Sequence, residues 1–572
     1  MDAPSVQLAA WFADGGGLWG MFGGFESFEG AVFLLIVALA GVCVVAGLLL
    51  ARTCRGPGRM QRVAATLLPL AVFLVALLYV RRTVLVLHRS EEWNGALLAP
   101  AIALARGYPL YSGPDAGPIQ VTEYGPVSAI VYLPAAVAST PTPAMLIAGG
   151  ITVLLILSPL VLLLGRGRWK APGQQVPALA GFVCAASALS LVDASDEFIT
   201  KIGPDAPAVA LGLLSCLVIM GTDEAPGRRR LAVCALLVTL SCWAKQIEAP
   251  LILAQALYLG VAHRWRTAAR YLAWVLVTGT AIGLGFVAVF GFEHMVWHMF
   301  IKQTRQGWDA TLFKYGFVLL RQSIVFIVLV VVASAVSWEF ARRSGQGLRG
   351  WLRANPWVLL VVAAVLLLPT GALADAKSDG DENNYHSAYY LIAAVALILV
   401  QFATKGPAPS VRKHAGHLLF LLAAWSLVCQ PTALLPPPEL FALEANPQQE
   451  AYRFTRSHPG EVYVPWYPLA SLMAEGRLYH AAPGVRDRIQ GGYTPTDTHF
   501  RAHLPPNIRY LIFHKDTQDQ SVRDFLPQFR RRIPVGPERM SDWVGYASTS
   551  HSAATDESIR SSARTITAPA GG

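Results

Sequence analysis

Apolar runs long enough to cross a bilayer recur along most of this chain. The polar stretches between them alternate in character, basic and then acidic. A transmembrane helix needs about 20 consecutive apolar residues. Stretches near that length fall at 31–51, 64–87, 144–165, 175–192, 205–220, 231–246, 248–262, 270–291, 316–337, 357–374, 386–403 and 415–434. The pattern predicts an all-α polytopic membrane bundle of about twelve transmembrane helices. The 175–262 region is the hardest to divide, because several of its runs are short.

Past the last run the pattern changes. Leu434-Leu435-Pro436-Pro437-Pro438 ends the helix, since proline cannot continue one. Glu461 to Pro465 and Arg509 to Phe513 then read as strands, with helical stretches at Ala445 to Ser457 and Gln518 to Phe529. The expected organisation is an external N-terminal lead (1–30), a bundle (31–435) with a first external loop at 88–143, a small extracytoplasmic α/β domain (436–548) and a disordered, Ser/Thr/Ala-rich tail (549–572). Two external loops carry helical patterns of their own. The stretch from Trp93 to Ala105 reads as an amphipathic segment along the membrane interface. Residues 292–315 read as a helix on the external membrane surface, with His294 and His298 as interfacial side chains.

Composition agrees with a membrane protein. Of 572 residues, 54% are hydrophobic and 14% charged, where a soluble domain carries about 25% charged residues. The mean hydropathy is +0.44. The formal net charge of +10 is a topology signal, and nucleic acid is not expected as a partner. Basic clusters at Arg52/Arg55/Arg59/Arg62, Arg166/Arg168/Lys170, Arg228-Arg229-Arg230, Arg264/Arg266/Arg270, Arg342/Arg343/Arg349/Arg353 and Lys405/Arg412/Lys413 each follow an odd-numbered span. They therefore share one side, the cytoplasm. The opposite loops hold the acids, among them Glu91, Glu92, Asp115, Glu123, Asp193, Asp196, Glu197, Asp379, Asp381 and Glu382; Arg81, Arg82 and Arg89 are the main exceptions. The expected location is the cell membrane, multi-pass, with the N-terminus and C-terminal domain extracytoplasmic. The first run lacks a basic flank and a small-residue cleavage site, so a removable signal peptide is not expected. None of the seven cysteines lies in the external tail, so no disulfide framework is implied. The Ala-, Gly- and Arg-rich composition suggests a bacterial plasma membrane.

Candidate chemistry starts at Glu91-Glu92. Paired carboxylates at the mouth of a membrane helix either stay wet or do chemistry. At an outer-leaflet site one of them could act as general base toward a hydroxyl, with burial raising its pKa. Lys201, Lys245, Lys302 and Arg305 are the external-side cations able to hold a phosphate. The plainer reading of Lys302 and Arg305 is a surface helix meeting anionic headgroups. For Lys201, Arg81 and Arg82 it is snorkelling. Lys245 is flanked by Gln246 and Glu248 where two short spans meet, which favours a functional role. Asp193, Asp196 and Glu197 offer carboxylate oxygens to a divalent cation or form a wet loop. Asp379-x-Asp381 is a literal DxD string, equally at home in an exposed turn. Asn383-Asn384-Tyr385-His386 stands at a span entrance, where it could contact a head group or sugar.

Acids directly after an early span, then Gly107-Tyr108-Pro109-Leu110-Tyr111 and Tyr124-Gly125-Pro126-Val127, resemble the first external loop of GT-C glycosyltransferases. These are membrane enzymes using lipid-phosphate-linked sugars, such as the polyprenyl-phosphate mannose and aminoarabinose transferases. Glu-Glu-Trp stands where Asp-Glu-Gly is common. Lys201-Ile202-Gly203-Pro204-Asp205 looks like the family's Arg-x-x-Asp element with Lys for Arg and one extra residue. Ala244-Lys245-Gln246 is similar to its Thr-Lys-Gln element, and Gly380 to His386 to its Gly-x-x-Asn-Tyr segment. The resemblance covers about residues 64–435. It implies a bundle of GT-C type acting at the outer face on a lipid-phosphate-linked sugar donor. The acceptor is then an unknown glycan, lipid or protein, within membrane lipids. Glu92, or Glu91, would be the base, and Lys245, Lys201, Asp205, Lys302, Arg305, Tyr124, Asn384, Tyr385 and His386 the donor-binding set. No cofactor is required by the sequence, with a divalent cation at Asp193, Asp196 and Glu197 left open. The competing reading is a secondary transporter or lipid-carrier flippase, which predicts charges near mid-membrane and two-fold related halves. Here the acids gather at one external face and no half-repeat is evident.

Overall fold

Helices as apolar as these bury their backbone polar groups in their own hydrogen bonds, which is what a bilayer demands of a spanning segment. The computed structural model describes residues 92–166, 201–220, 225–309, 311, 327–405 (less 329, 332, 340, 379 and 381), 447–514, 520–533 and 543–548. The expected spans at 31–51, 64–87, 175–192 and 415–434 lie outside them. So do the N-terminal lead, the 549–572 tail, Glu91 and the candidate metal ligands Asp193, Asp196 and Glu197.

The helices that build the fold are α1 (Glu92–Ala105), α2 (Pro141–Arg166), α3 (Asp205–Met220), α4 (Arg228–Ala244), α5 (Pro250–Ala262), α6 (Trp265–Phe290), α7 (Leu348–Ala354), α8 (Val358–Asp375) and α9 (His386–Lys405). Among the described residues, Pro141–Leu163, Trp265–Phe290 and Val358–Asp375 are long and apolar enough to cross a membrane. On α6 large apolar side chains stand open, Leu276 at 70% and Val289 at 72%. Exposure of that kind suits lipid. The bundle core is made by α2, α3, α4, α5, α8 and α9, with Leu213, Val238, Leu259, Leu360 and Tyr390 buried at its centre.

The chain after 446 adds α10 (Pro447–Ser457), α11 (Pro468–Glu475), α12 (Ala482–Gln490) and a four-stranded sheet. Its strands are β1 (Val462–Tyr463), β2 (Tyr510–His514), β3 (Phe529–Ile533) and β4 (Trp543–Ser548), in the order β1-β2-β4-β3. β1 runs parallel to β2, and β4 is antiparallel to both of its neighbours. This sheet shares one continuous core with α1 and the loop after it: Leu98, Ile102 and Ile119 pack in the same cluster as Tyr463, Leu469 and Phe513.

Two sequence expectations change here. The stretch Trp93 to Ala105 does not lie on an interface with one face wet. Ala96, Leu98, Ala99, Ala101 and Ile102 are fully buried, because α1 is apolar all round and so belongs inside the protein. The 292–304 segment is likewise not a simple surface helix. Phe292, Phe300 and Ile301 are exposed, but Met295, Trp297, His298, Met299 and Lys302 are buried. Its middle turn, Trp297–Ile301, is a π-helix, a widened turn that recurs at functional positions.

Candidate functional site

Lys245 owes its position to a break between two helices. Past Ala244 the chain becomes extended, and Pro250 opens α5 after one short 3-10 turn. Lys245 thus caps α4 at the end opposite the exposed arginines Arg228, Arg229 and Arg230. Its ammonium donates to the Asp205 carboxylate at 2.6 Å and to the Asn383 carbonyl at 3.2 Å. Asp205 sits in the first turn of α3, where the helix dipole favours a negative charge. His386, fully buried at the start of α9, brings its ring nitrogen to 4.0 Å from the same carboxylate. Three sequence elements, around 205, 245 and 386, therefore converge on one buried charge centre.

This centre borders a cavity of about 520 Å³. Lys201, Lys245, Lys377 and Arg486 bring positive charge to its wall, and Glu123 and Asp487 bring negative charge. Tyr124, Gln246, Gln303, Asn383 and Asn384 supply neutral hydrogen-bonding groups. Trp93, the second residue of α1, lines it as well. The Asn94 side chain accepts the Ile202 N–H at 2.7 Å, fixing the Lys201 segment to the first turn of α1, where Glu92 stands.

The loop motifs have mechanical explanations. The Tyr111 hydroxyl donates to the Tyr124 carbonyl at 2.6 Å, so the two tyrosine-containing stretches lock together. Burial pushes the Tyr111 phenol well above its usual range, which keeps it a neutral donor. A Cβ at Gly125 would lie 1.9 Å from the Trp243 carbonyl oxygen, so only glycine lets this loop lie against the end of α4. Gln246 then ties the loop down by donating to the Glu123 carbonyl at 3.0 Å.

A second charge cluster lies beside the first. Lys302 is 1% exposed, with its ammonium 3.5 Å from Glu123 and 3.8 Å from Asp487. Gln303 donates to Glu123 from the same turn. The Lys377 ammonium donates to the Gln303 carbonyl at 2.8 Å; burial draws its pKa down, and the nearby Glu123 opposes that. His298 is not interfacial as expected. It is buried, its Nδ1 2.9 Å from the Thr122 hydroxyl and its Nε2 2.9 Å from the Ser112 carbonyl. Burial, then Lys302, holds it well below the usual histidine range.

Of the residues singled out by sequence, Lys245, Lys201, Tyr124 and Asn384 line the cavity. Asp205 and His386 form the charge centre behind it. Tyr385 is buried, its hydroxyl donating to Asp375 at 3.3 Å. Lys302 is not a headgroup contact; it is an internal bridge. Arg305 does not line the cavity, and its guanidinium lies 4.8 Å from the Tyr493 ring centre. Glu92 opens α1. Among the described residues no group of three or more His, Cys, Asp or Glu could hold a metal ion. Sequence reasoning missed Lys377, Gln303, Arg486 and Asp487 altogether and treated Glu123 only as a loop acid. Nothing in the local pattern of 482–490 marks it as part of a site.

No protein-family model and no curated protein sequence matches the chain. Among solved structures, ArnT from Cupriavidus metallidurans in the apo state matches with a TM-score of 0.50 at 11% identity, over 84% of this chain and 98% of that one. The chain has the fold of ArnT. The same protein bound to undecaprenyl phosphate gives a TM-score of 0.48 at 12% identity, over the same shares. The resemblance to GT-C transferases that the loop motifs carry thus holds at the level of the fold. ArnT-like architecture and the apolar helices together make this a multi-pass membrane protein.

Proposed function

We propose that this protein is a glycosyltransferase that takes a sugar from a polyprenyl-phosphate donor and passes it to an acceptor hydroxyl at the extracytoplasmic face. One observation carries the reading: the cavity joins phosphate-compatible cations, Lys201, Lys245 and Lys377, to the turn where Glu92 opens α1. A transferase with a lipid-phosphate leaving group needs both parts. A transporter or lipid-carrier flippase has use for the cations but not for a base beside them.

In this reading the acceptor oxygen attacks the anomeric carbon while its proton passes to Glu92, or to the adjacent Glu91. The bond between that carbon and the phosphate oxygen breaks, and the polyprenyl phosphate leaves as an anion. Lysine ammoniums stabilise the charge that grows on the departing phosphate. Lys245 is already held in place by Asp205 and Asn383, so it meets that charge with little reorganisation. No nucleotide takes part.

The test uses the full-length protein in lipid nanodiscs. It is given radiolabelled hexosyl and pentosyl polyprenyl phosphates with envelope extracts as acceptor, beside the Glu92→Gln and Lys245→Ala variants. Transfer by the wild type and its loss in both variants is the expected result. Movement of a solute across proteoliposomes with no sugar transferred from any donor would replace this reading with a transporter.

A further inference from the structure

The C-terminal region does more than cover the membrane part. Helix α12 and its N-cap Ala481 reach three of the segments that build the cavity: the first external loop, the 292–304 segment and α1. Gly484 lies so close to the loop that a Cβ there would meet the Gln120 carbonyl oxygen at 2.7 Å. The Ala481 N–H donates to the Ile119 carbonyl at 2.8 Å. Asp487 faces Lys302 of the 292–304 segment. Arg488 donates to the Pro114 carbonyl and lies 4.8 Å from the Trp297 ring centre. Between these anchors, Arg486 lines the cavity.

The setting of Arg486 is specific. Its guanidinium carbon lies 5.6 Å from the ring centres of both Trp93 and Trp466, and the two indoles meet edge to face at 5.5 Å. Both distances lie within the reach of a cation–π attraction, which draws the guanidinium toward the two indoles. A guanidinium binds phosphate or carboxylate through paired N–H donors, which a lysine cannot reproduce. Trp93 is also the residue that follows Glu92. A guanidinium drawn toward Trp93 is therefore brought beside the turn that carries the proposed base. Arg486 and Asp487 both line the cavity, and Asp487 also faces Lys302.

We infer that α12 makes the C-terminal region part of the substrate site, with Arg486 receiving an oxyanion of the substrate beside the first turn of α1. This rests on the transferase reading above. The oxyanion is either the donor phosphate or an acidic group on the acceptor.

Binding and turnover in the full-length protein separate the sources. Wild type, Arg486→Lys and Arg486→Gln are compared in nanodiscs for affinity toward polyprenyl phosphate, with uncharged polyprenol as control, and for the KM of the acceptor. A charge-assisted hydrogen bond of this type corresponds to about ten- to hundred-fold in affinity. Loss of that size for polyprenyl phosphate in both variants, with polyprenol unaffected and the thermal midpoint preserved, assigns Arg486 to the donor. Unchanged polyprenyl phosphate affinity with a KM for acceptor raised to that extent assigns it to the acceptor. Unchanged values for both ligands in folded variants overturn the inference while leaving the transferase reading intact. Wild-type protein that neither binds polyprenyl phosphate nor transfers sugar overturns the transferase reading itself, and this inference with it.

Discussion

Lys245 holds its ammonium 2.6 Å from the Asp205 carboxylate, and both side chains are buried. Removing one partner of such a pair strands the other charge, at a cost of about 3–5 kcal/mol. Lys245→Ala should therefore lower the thermal midpoint in detergent as well as abolish transfer. The double variant Lys245→Ala/Asp205→Asn should recover most of the midpoint without recovering transfer. If the double variant regained activity, Lys245 would be only a structural cation.

Glu92→Gln tests the proton acceptor. Loss of a general base lowers kcat by about 10²–10⁴, and the loss should fall on kcat with the KM for donor little changed. Glu91→Gln should cost much less. Both glutamine variants turning over at the wild-type rate would eliminate these residues as bases.

Gly125→Ala forces a contact, since its Cβ would stand 1.9 Å from the Trp243 carbonyl oxygen. The loop carrying Glu123 and Tyr124 must move, with an overpacking cost of about 1–3 kcal/mol. Transfer should drop sharply and the midpoint should fall. Gly150→Ala is the control: nothing lies within 4 Å of that Cβ, and removing a helical glycine should stabilise by about 0.5–1 kcal/mol. Equal midpoints for the two variants would contradict the close packing at Gly125.

His480 predicts a pH effect. Its Nδ1 accepts the Ile119 N–H at 2.9 Å and its Nε2 lies 3.1 Å from the Phe500 carbonyl, which requires the neutral ring. Burial first, then His499 and His503, pushes its pKa down from 6.5 to about 3. The unfolded chain binds this proton below about pH 6.5 and the folded chain does not, so this contribution is complete above pH 6.5 and is lost as pH falls toward about 3. His298, held low by burial, acts in the same direction. The thermal midpoint should fall on acidification through that window. His480→Gln, whose amide oxygen can still accept the Ile119 N–H, should flatten the fall. A profile for His480→Gln parallel to the wild type would show that the ring does not sense pH.

Several site residues were legible in the chain. Lys245 stood out because a charged residue between two short apolar runs has few other uses. Tyr124 and Gly125 were visible as a motif, and the packing against Trp243 gives the physical reason for its glycine. Lys302 was read with the wrong neighbours. An exposed-looking basic helix and a buried bridge have the same local pattern, and Glu123 and Asp487 lie far from it in the chain. Arg486 carried no signal, because an arginine in a short amphipathic helix is ordinary until Trp93 and Trp466 are seen around it.

By itself the sequence determined that this is a membrane bundle, since apolar length and the alternation of basic and acidic loops are local quantities. It also determined which short motifs deserve chemistry, because their glycines, prolines and paired acids constrain the backbone or cost energy near lipid. Only the tertiary structure decided which charges face one another. Ion pairs such as those of Lys302 join segments separated by nearly two hundred residues, and no periodicity records that distance. The fusion of the C-terminal sheet with α1 in one core was likewise decided by packing, because an apolar helix can be buried against any partner of the right shape.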